Sequence, residues 1–234
     1  MSITPPVTWY RDKMRLIAFD LDDTLFCEQE FVQSSWRYIA KSLNKKYGLP
    51  YSVMIEIMSN ACNAFDALDT YLKDNLNLSE REGIEWMIAT YRNHKPDISL
   101  ADEVVNLLKN LIDAGHTIAI VTDGRSTTQR NKINSLGLDR YVAADKILIS
   151  QEIGGDKLSG IPFRTLDRLE PTFKCYVGDN PAKDFYWPNK LGWTTIMLLD
   201  SGKNIHPQVL SDNKPDYNPQ KIIHRLSQLT DILK

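Results

Sequence analysis

Short apolar runs, separated by helical patterns, constrain the fold of this chain more than any other feature of its sequence. Five such runs lie at residues 16–19, 117–121, 147–149, 175–177 and 194–198. The first two are almost continuously apolar, which is typical of parallel strands buried on both faces. Helical patterns at 101–114 and 127–136 are each followed by a glycine that can end a helix. This alternation predicts an α/β protein with a Rossmann-like parallel sheet core in a three-layer α/β/α arrangement.

The stretch between the first two runs carries helical patterns only. From 27 to 96, apolar residues such as Val53, Ile57 and Ala61 recur at helical spacing. These roughly 70 residues are too many for one crossover connection. We therefore expect an inserted α-helical cap domain at 27–96 and an α/β core formed by 1–26 and 97–234. Further core helices are predicted at 162–169, 180–191 and 222–233.

Composition excludes several classes of protein. With 42% hydrophobic and 25% charged residues, the chain can bury a core. The 28 basic and 30 acidic residues give a net charge of −2, so the basic surface of a nucleic-acid binder is not expected. Apolar runs fall short of the ~20 residues of a membrane helix, and the N-terminus lacks the apolar core of a secretory signal. The three cysteines form no C-x-x-C pair, so we expect a cytoplasmic protein without disulfides or structural zinc. The oligomeric state is not indicated.

Three acids follow the first apolar run directly. They are Asp20, Asp22 and Asp23, in the segment Phe19 to Leu25. In an open α/β sheet, ligands bind at the carboxyl ends of the strands. Two carboxylates this close repel each other, so the pair indicates either a divalent cation or one protonated acid. A solvated turn rich in Asp is the simpler alternative.

A second acidic group follows the fourth run. Gly178 and Asp179 end that run, Asn180 comes next, and Asp184 follows five residues after Asp179. Oxygen ligands from Asp179 and Asp20 would suit Mg²⁺, which uses few carboxylates and keeps several waters. Capping of a helix N-terminus by Asp179 or Asn180 is the alternative.

A hydroxyl, a turn and a lysine complete the pattern. Thr122, Asp123 and Gly124 end the second run, where a hydroxyl and backbone N–H groups can bind phosphate oxygens. Lys157, in a loop after two glycines, can neutralise phosphate charge, although each feature alone is also explained by a turn or a surface lysine. The conjunction of all four features, in this order and mostly at strand ends, indicates one site for a phosphate group and a metal ion.

These motifs resemble those of the haloacid dehalogenase superfamily, in its phosphatase branch with a C1-type helical cap. The segment Asp20 to Thr24 is similar to the first motif, D-x-D-x-T, and the other three motifs are similar to segments that contain Thr122, Lys157, and Asp179 with Asp184. The match spans nearly the whole chain, with the insertion at the position of a C1 cap. The third motif departs from the usual Lys-Pro, because Leu158 follows Lys157. Lys146 is therefore an alternative for that lysine.

The resemblance implies a Mg²⁺-dependent phosphatase that hydrolyses a small phosphomonoester. Asp20 would attack phosphorus and form an aspartyl-phosphate. Asp22 would protonate the leaving oxygen and then activate water. Mg²⁺ would be held by Asp20, Asp179 and the backbone carbonyl of Asp22.

The resemblance also assigns phosphate-binding and supporting residues. The phosphoryl oxygens would be bound by Thr122, by Lys157, and by the backbone of Asp123 and Gly124. Asp184 would orient Lys157 or a metal-bound water, with Asn180 beside it.

Two other functions remain compatible with this pattern. A phosphomutase of the same superfamily would also keep Asp22. A non-catalytic phosphate-binding or receiver-like protein combines acids, a Thr and a Lys on an α/β sheet, but a receiver would carry its Asp after the third strand and lack the insertion. Aromatic residues of the insertion could line a substrate pocket, although helical spacing is more typical of core residues. They are Trp36, Tyr38, Phe65, Tyr71, Trp86 and Tyr91.

Overall fold

A six-stranded parallel sheet organises the protein in the computed structural model, which describes residues 14–77 and 82–233. The strand order is β3-β2-β1-β4-β5-β6. Every pair of neighbouring strands is parallel, and Phe19 of the central strand β1 lies between Ile120 of β2 and Val177 of β4. The strands are β1 (Arg15–Phe19), β2 (His116–Thr122), β3 (Ile147–Ile149), β4 (Phe173–Gly178), β5 (Thr194–Leu198) and β6 (Lys221–Ile223). The α/β fold class predicted from the sequence is confirmed.

Helices connect the strands and cover both faces of the sheet. In chain order they are α1 (Glu28–Tyr47), α2 (Tyr51–Asn60), α3 (Ala64–Asn75), α4 (Ile84–Asn93), α5 (Asp102–Asp113), α6 (Ser126–Leu136), α7 (Ser150–Ile153), α8 (Ile161–Asp167), α9 (Tyr186–Lys190) and α10 (Leu229–Ile232). Side chains of β1 alternate between two apolar layers, as a strand requires. Ile17 packs with α5, α6 and α10, whereas Leu16 packs with α8 on the opposite face.

The insertion between β1 and β2 is helical throughout its described part. Helices α1 to α4 share a separate apolar cluster that includes Ile39, Leu43, Met54 and Leu72. Most of the aromatic residues named above pack around this cluster, as core residues would, whereas Tyr38 is 48% exposed. The domain boundaries at 26/27 and 96/97 remain predictions, and residues 1–13 and 234 of the predicted core lie outside the described part.

The structure corrects two predicted helices. Residues 222 and 223 of the predicted helix 222–233 belong to β6, with Ile223 buried and Ile222 45% exposed. Of the predicted helix, only α10 and a 3₁₀ turn at 226–228 are helical. A three-residue edge strand is too short to show its period in the sequence. The helix predicted at 180–191 is reduced to α9, because Asn180 Oδ1 accepts a hydrogen bond from the Ala182 N–H and forms a turn. Within the described residues, no helix combines the length and the apolar character that a membrane-spanning helix requires.

Candidate active site

The carboxyl ends of β1, β2 and β4 lie side by side and bring motifs of the sequence to one edge of the sheet. Asp20 follows β1, and its N–H donates to the carbonyl oxygen of Val177 in β4 at 2.9 Å. Asp179 follows β4, and Thr122 ends β2. The parallel register therefore places residues that are about 100 and 160 positions apart in the sequence at one site.

Three buried carboxylates form the acidic centre of this site. Asp20, Asp179 and Asp184 each offer an oxygen atom, and these atoms lie within 4.8 Å of one another. The three residues are 3%, 4% and 0% exposed. Burial opposes the charged form of a carboxyl group, so such a group needs cations or hydrogen-bond donors around it.

Lys157 supplies one of these cations. Its side chain is fully buried, and Nζ lies 2.6 Å from Asp20 Oδ2 and 2.7 Å from Asp184 Oδ1. Burial opposes its charge, but the carboxylates of Asp184 and Asp20 hold the pKa of Lys157 well above its usual range. Lys146, the alternative for this role, forms its ion pair with the exposed Asp145. The fold thus brings Lys157, and not Lys146, to Asp20.

Both carboxylate oxygens of Asp184 accept hydrogen bonds from other groups of the protein. Its Oδ1 accepts from Lys157 Nζ, and its Oδ2 accepts from the N–H groups of Asp179 at 3.1 Å and Asn180 at 2.8 Å. Gly178 makes room for this arrangement, since a Cβ atom there would lie 2.5 Å from Asp184 Oδ2. With both oxygens engaged, Asp184 is placed to anchor Lys157 and the turn after β4.

The loop after β5 holds Asp179. Asn204 Nδ2 donates to Asp179 Oδ2 at 3.0 Å, and Gln208 Nε2 donates to the Asp179 carbonyl oxygen at 2.7 Å. Asp200 Oδ1 shapes this loop by accepting the N–H groups of Gly202, Lys203 and Asn204. The sequence patterns did not indicate Asn204 or Gln208, because neither lies in a motif and both depend on how the loop folds.

Asp22 lies beside the acidic centre with its carboxylate toward helix α6. Lys132 Nζ donates to Asp22 Oδ1 at 2.7 Å, and Gln129 Nε2 donates to Asp22 Oδ2 at 3.0 Å. Glu28, the first residue of α1, also lies within 3.4 Å of Lys132 Nζ. Burial and the charge of Asp22 raise the pKa of Glu28. The sequence patterns did not indicate Lys132 or Gln129 as site residues. Their one distinguishing feature in the sequence is that they are polar residues on the helical face that carries the buried Ile133.

The end of β2 provides the remaining groups of the predicted phosphate site. Thr122 is buried, and its Oγ1 accepts from Gln129 Nε2 at 3.0 Å. Asp123 Oδ1 accepts the N–H of Lys157 at 3.1 Å, which joins the second and third motifs. Gly124 has φ +149°, in the region that favours glycine, and its N–H donates to Ser150 Oγ at 2.9 Å.

A cavity of about 340 Å³ opens at this edge between the sheet and the helical insertion. Of the predicted site residues, Asp20, Asp22, Asp123, Gly124, Asp179 and Asn180 line it. Thr122, Lys157 and Asp184 lie behind this lining. The insertion contributes Glu28, Phe31, Tyr91 and Arg92, and the core adds Arg125, Thr128, Gln129, Lys132, Lys183 and His206. A cavity of this size, with charged groups at its base, fits a small anionic molecule.

The acidic centre has the donor chemistry of a divalent cation site. Burial, followed by neighbouring acids, raises the pKa of Asp179 to about 8. Burial raises the pKa of Asp20 to about 6, against the lowering effect of Lys157. Burial and the neighbouring acids thus outweigh the effect of Lys157 on the pKa values of both carboxyl groups. Oxygen atoms of Asp20 and Asp179 fit Mg²⁺, which takes oxygen ligands and keeps several waters. The carboxylate of Asp22, in contrast, is outside this group of three acids.

The chain matches the family model described as haloacid dehalogenase-like hydrolase over residues 17–198. This match covers most of the sequence, so the chain belongs to this family of hydrolases. The matched region includes the insertion and all four motifs.

Named relatives and a solved structure are similar over almost the whole chain. A glyceraldehyde 3-phosphate phosphatase from Methanocaldococcus jannaschii is 29% identical over 230 residues, which cover 93% of this chain and 96% of the relative. The pyrophosphatase PpaX from Halalkalibacterium halodurans is 24% identical over 230 residues, covering 94% and 97%. The magnesium-bound HAD-hydrolase YfnB from Bacillus subtilis superposes with a TM-score of 0.62 at 20% identity, covering 95% of this chain and 99% of that one. This last similarity concerns the fold.

Proposed function

We propose that this protein is a Mg²⁺-dependent phosphatase that hydrolyses a small phosphomonoester through an aspartyl-phosphate on Asp20. The observation that carries the proposal is the placement of Asp20 at the base of the cavity, between Asp179 and the buried Lys157. Family membership and the two named phosphatases support a phosphoric monoester hydrolase. The role of each site residue, the metal and the substrate class belong to the proposal.

Asp20 is the proposed nucleophile. One of its carboxylate oxygens attacks phosphorus, the bond from phosphorus to the ester oxygen breaks, and an acyl phosphate forms on Asp20. Its Oδ1 accepts the N–H of Leu21 at 2.7 Å and its Oδ2 pairs with Lys157, so the carboxylate is fixed before substrate arrives. A fixed nucleophile avoids the entropy cost of being ordered during the reaction.

Asp22 is the proposed general acid and base. In the first step its carboxyl group gives a proton to the leaving ester oxygen, and in the second its carboxylate takes a proton from the water that attacks phosphorus. The bond between phosphorus and Asp20 then breaks, which regenerates the Asp20 carboxylate and releases phosphate. Asp22 lines the cavity on the side of α6 and the insertion, where the leaving group would lie.

Asp20, Asp179 and the backbone carbonyl of Asp22 are the residues that would hold Mg²⁺. When bound, the ion supplies charge that offsets repulsion between the phosphate dianion and the carboxylates. The protein positions this site with the Asn204 contact to Asp179 and with Asp184 behind Lys157. Asn180 donates its N–H to Asp184 and supports the same turn.

Groups at the end of β2 would bind the transferred phosphoryl group. Asp123 and Gly124 line the cavity, and Thr122 and Lys157 lie behind this lining. Lys157 provides positive charge next to the nucleophile, which favours the approach of an anionic phosphoryl group. The glycine at position 124 leaves room for the Gln129 side chain, because a Cβ atom there would lie 2.9 Å from Gln129 Nε2.

The substrate is proposed to be a small phosphorylated metabolite, such as a sugar phosphate or a nucleotide. The cavity volume and the similarity to a glyceraldehyde 3-phosphate phosphatase support this class. A phosphomutase would use the same acids, and a non-catalytic phosphate binder would keep the same pocket. A cytoplasmic location and the lack of nucleic-acid binding remain predictions from composition.

A metal-dependent substrate screen tests the proposed function. We expect phosphate release from one or more sugar phosphates, nucleotides or other small phosphomonoesters with Mg²⁺, and none with EDTA. Products are analysed for free phosphate and for isomers of the substrate. Isomer formation without phosphate release would replace the proposal with a mutase, and binding without either product would replace it with a non-catalytic protein.

Binding of Mg²⁺ is expected to strengthen as the pH rises from about 6 to about 8. The pKa values of Asp20, about 6, and Asp179, about 8, are raised above those of an unfolded chain. Protonation at this centre therefore stabilises the metal-free fold at low pH, and that stabilisation is lost as the pH rises through these values. Mg²⁺ must displace the same protons, so its stabilising effect grows over this range.

Thermal denaturation with and without Mg²⁺, across that pH range, measures this effect. We expect the increase in Tm caused by Mg²⁺ to be larger at high pH, and to be mostly lost in Asp179→Asn. A pH-independent increase, or one that is larger at low pH, would show that Asp20 and Asp179 do not bind the ion.

A further inference from the structure

We propose that Lys132 is a positioning residue for the reaction. Together with Gln129 it fixes the carboxylate of Asp22, and it links that carboxylate to Glu28, the first residue of α1. This inference rests on the proposed role of Asp22 as general acid and base. It concerns residues of helix α6 that lie outside the four motifs of the sequence.

The two donors of α6 bind one oxygen each of the Asp22 carboxylate. Lys132 Nζ lies 2.7 Å from Oδ1, and Gln129 Nε2 lies 3.0 Å from Oδ2. They are three positions apart, so they project from the same face of the helix. Donors on both oxygens fix the orientation of the carboxylate plane, which a single ion pair would leave free to rotate.

Gln129 ties this arrangement to the phosphate side of the site. The same Nε2 atom lies 3.0 Å from Thr122 Oγ1 and 2.9 Å from the carbonyl oxygen of Asp123. Gly124 packs against the Gln129 side chain, where a Cβ atom would lie 2.9 Å from Nε2. Gln129 is therefore held by the end of β2, and through it Asp22 keeps a fixed place relative to the predicted phosphate site.

The ammonium group of Lys132 is buried and is paired with carboxylates at the site. Its side chain is 3% exposed, and Nζ lies 4.4 Å from the centre of the Phe31 ring. In the described part of the chain its ion pairs are with Asp22 and, at 3.4 Å, with Glu28. A buried ammonium group cannot rely on water, so it depends on these two carboxylates.

Glu28 brings the helical insertion into this network. It begins α1, its N–H donates to Asp23 Oδ1 at 2.8 Å, and its carboxylate shares Lys132 with Asp22. The Asp22 pair is the shorter of the two. Any displacement of α1 would change the competition for Lys132, so the position of the insertion and the placement of Asp22 are coupled.

A double-mutant cycle with Asp22→Asn tests the role of Lys132. Wild type, Lys132→Met, Asp22→Asn and the double variant are compared with 4-nitrophenyl phosphate, whose leaving group departs without protonation. We expect Lys132→Met to lower kcat by about 10- to 100-fold, and KM to fall with it, because with this substrate only the second step, in which Asp22 activates water, is slowed. In the Asp22→Asn background the same substitution should cost less than about twofold, because its effect passes through Asp22.

Lys174→Met provides the matched control. Lys174 also forms a partly buried ion pair, with Asp167, but lies in β4 away from the cavity, so this variant should keep kcat. Where Lys132→Met does not fold, as judged by circular dichroism, Lys132→Gln takes its place in the cycle. An equal loss of kcat in both backgrounds, or no loss in the wild-type background, would overturn the positioning role. Failure of the proposed function can be told apart from failure of this inference, because in that case the wild type would release no phosphate.

Discussion

Replacement of Asp20 by Asn is expected to abolish Mg²⁺-dependent phosphate release while leaving the protein folded. An amide oxygen is a poor nucleophile, so the acyl phosphate cannot form, and kcat should fall by at least about 10⁴-fold. Asn has nearly the same shape, and it can still accept the Leu21 N–H that Asp20 Oδ1 accepts. Phosphate release and thermal denaturation of both proteins measure activity and folding separately.

Asp145→Asn is the matched control for this substitution. Asp145 is exposed and pairs with Lys146 near the start of β3, outside the cavity. We expect it to keep wild-type activity. Asp20→Asn activity near the wild-type level would show that another group attacks phosphorus, or that no covalent intermediate forms.

Of the substitutions proposed here, Asp184→Ala should cause the largest loss of stability. It should lower the free energy of unfolding by about 3–5 kcal/mol. Asp184 is fully buried and carries the ion pair with Lys157 and the hydrogen bonds from the N–H groups of Asp179 and Asn180. Among the described residues, Asp20 is then the one ion-pair partner left to the buried Lys157 ammonium group, and two N–H groups lose their acceptor. Urea denaturation measures the change.

Asp216→Ala is the comparison for Asp184→Ala. Asp216 forms an exposed ion pair with Lys190, and exposed pairs contribute at most about 1 kcal/mol. A similar, small effect for both variants would contradict the structural role given to Asp184. Loss of stability in Asp184→Ala should also lower activity, because Lys157 and the Asp179 turn lose their anchor.

The strands that build the site could be predicted from the sequence because they are buried on both faces. A short and almost continuously apolar run, such as the one ending at Phe19, is typical of a parallel strand in the middle of a sheet. The acids that follow such runs must then lie at the carboxyl edge of the sheet, which is why Asp20 and Asp179 meet. The helical insertion could be predicted from the length of the segment between the first two apolar runs and from the helical spacing of its apolar residues.

Other parts of the site depend on tertiary packing that a single sequence does not reveal. Lys132 and Gln129 look like ordinary polar residues of a helix, and only the packing of α6 against the end of β1 turns them toward Asp22. Asn204 reaches Asp179 from a loop whose shape is set by hydrogen bonds to Asp200. The helix predicted at 180–191 was wrong over its first part, where Asn180 forms a turn: its Oδ1 accepts the Ala182 N–H, and its own N–H donates to Asp184 Oδ2.

Trapping of the covalent intermediate tests the proposed mechanism most directly. In Asp22→Asn the second step should be slow, because the general base for water is lost, whereas 4-nitrophenyl phosphate can still transfer its phosphoryl group. Acid quenching and mass spectrometry of peptides should then find a Mg²⁺-dependent phosphoryl group on Asp20. Continued phosphate release by the wild type, with no phosphorylated Asp20 in either protein, would contradict an aspartyl-phosphate mechanism.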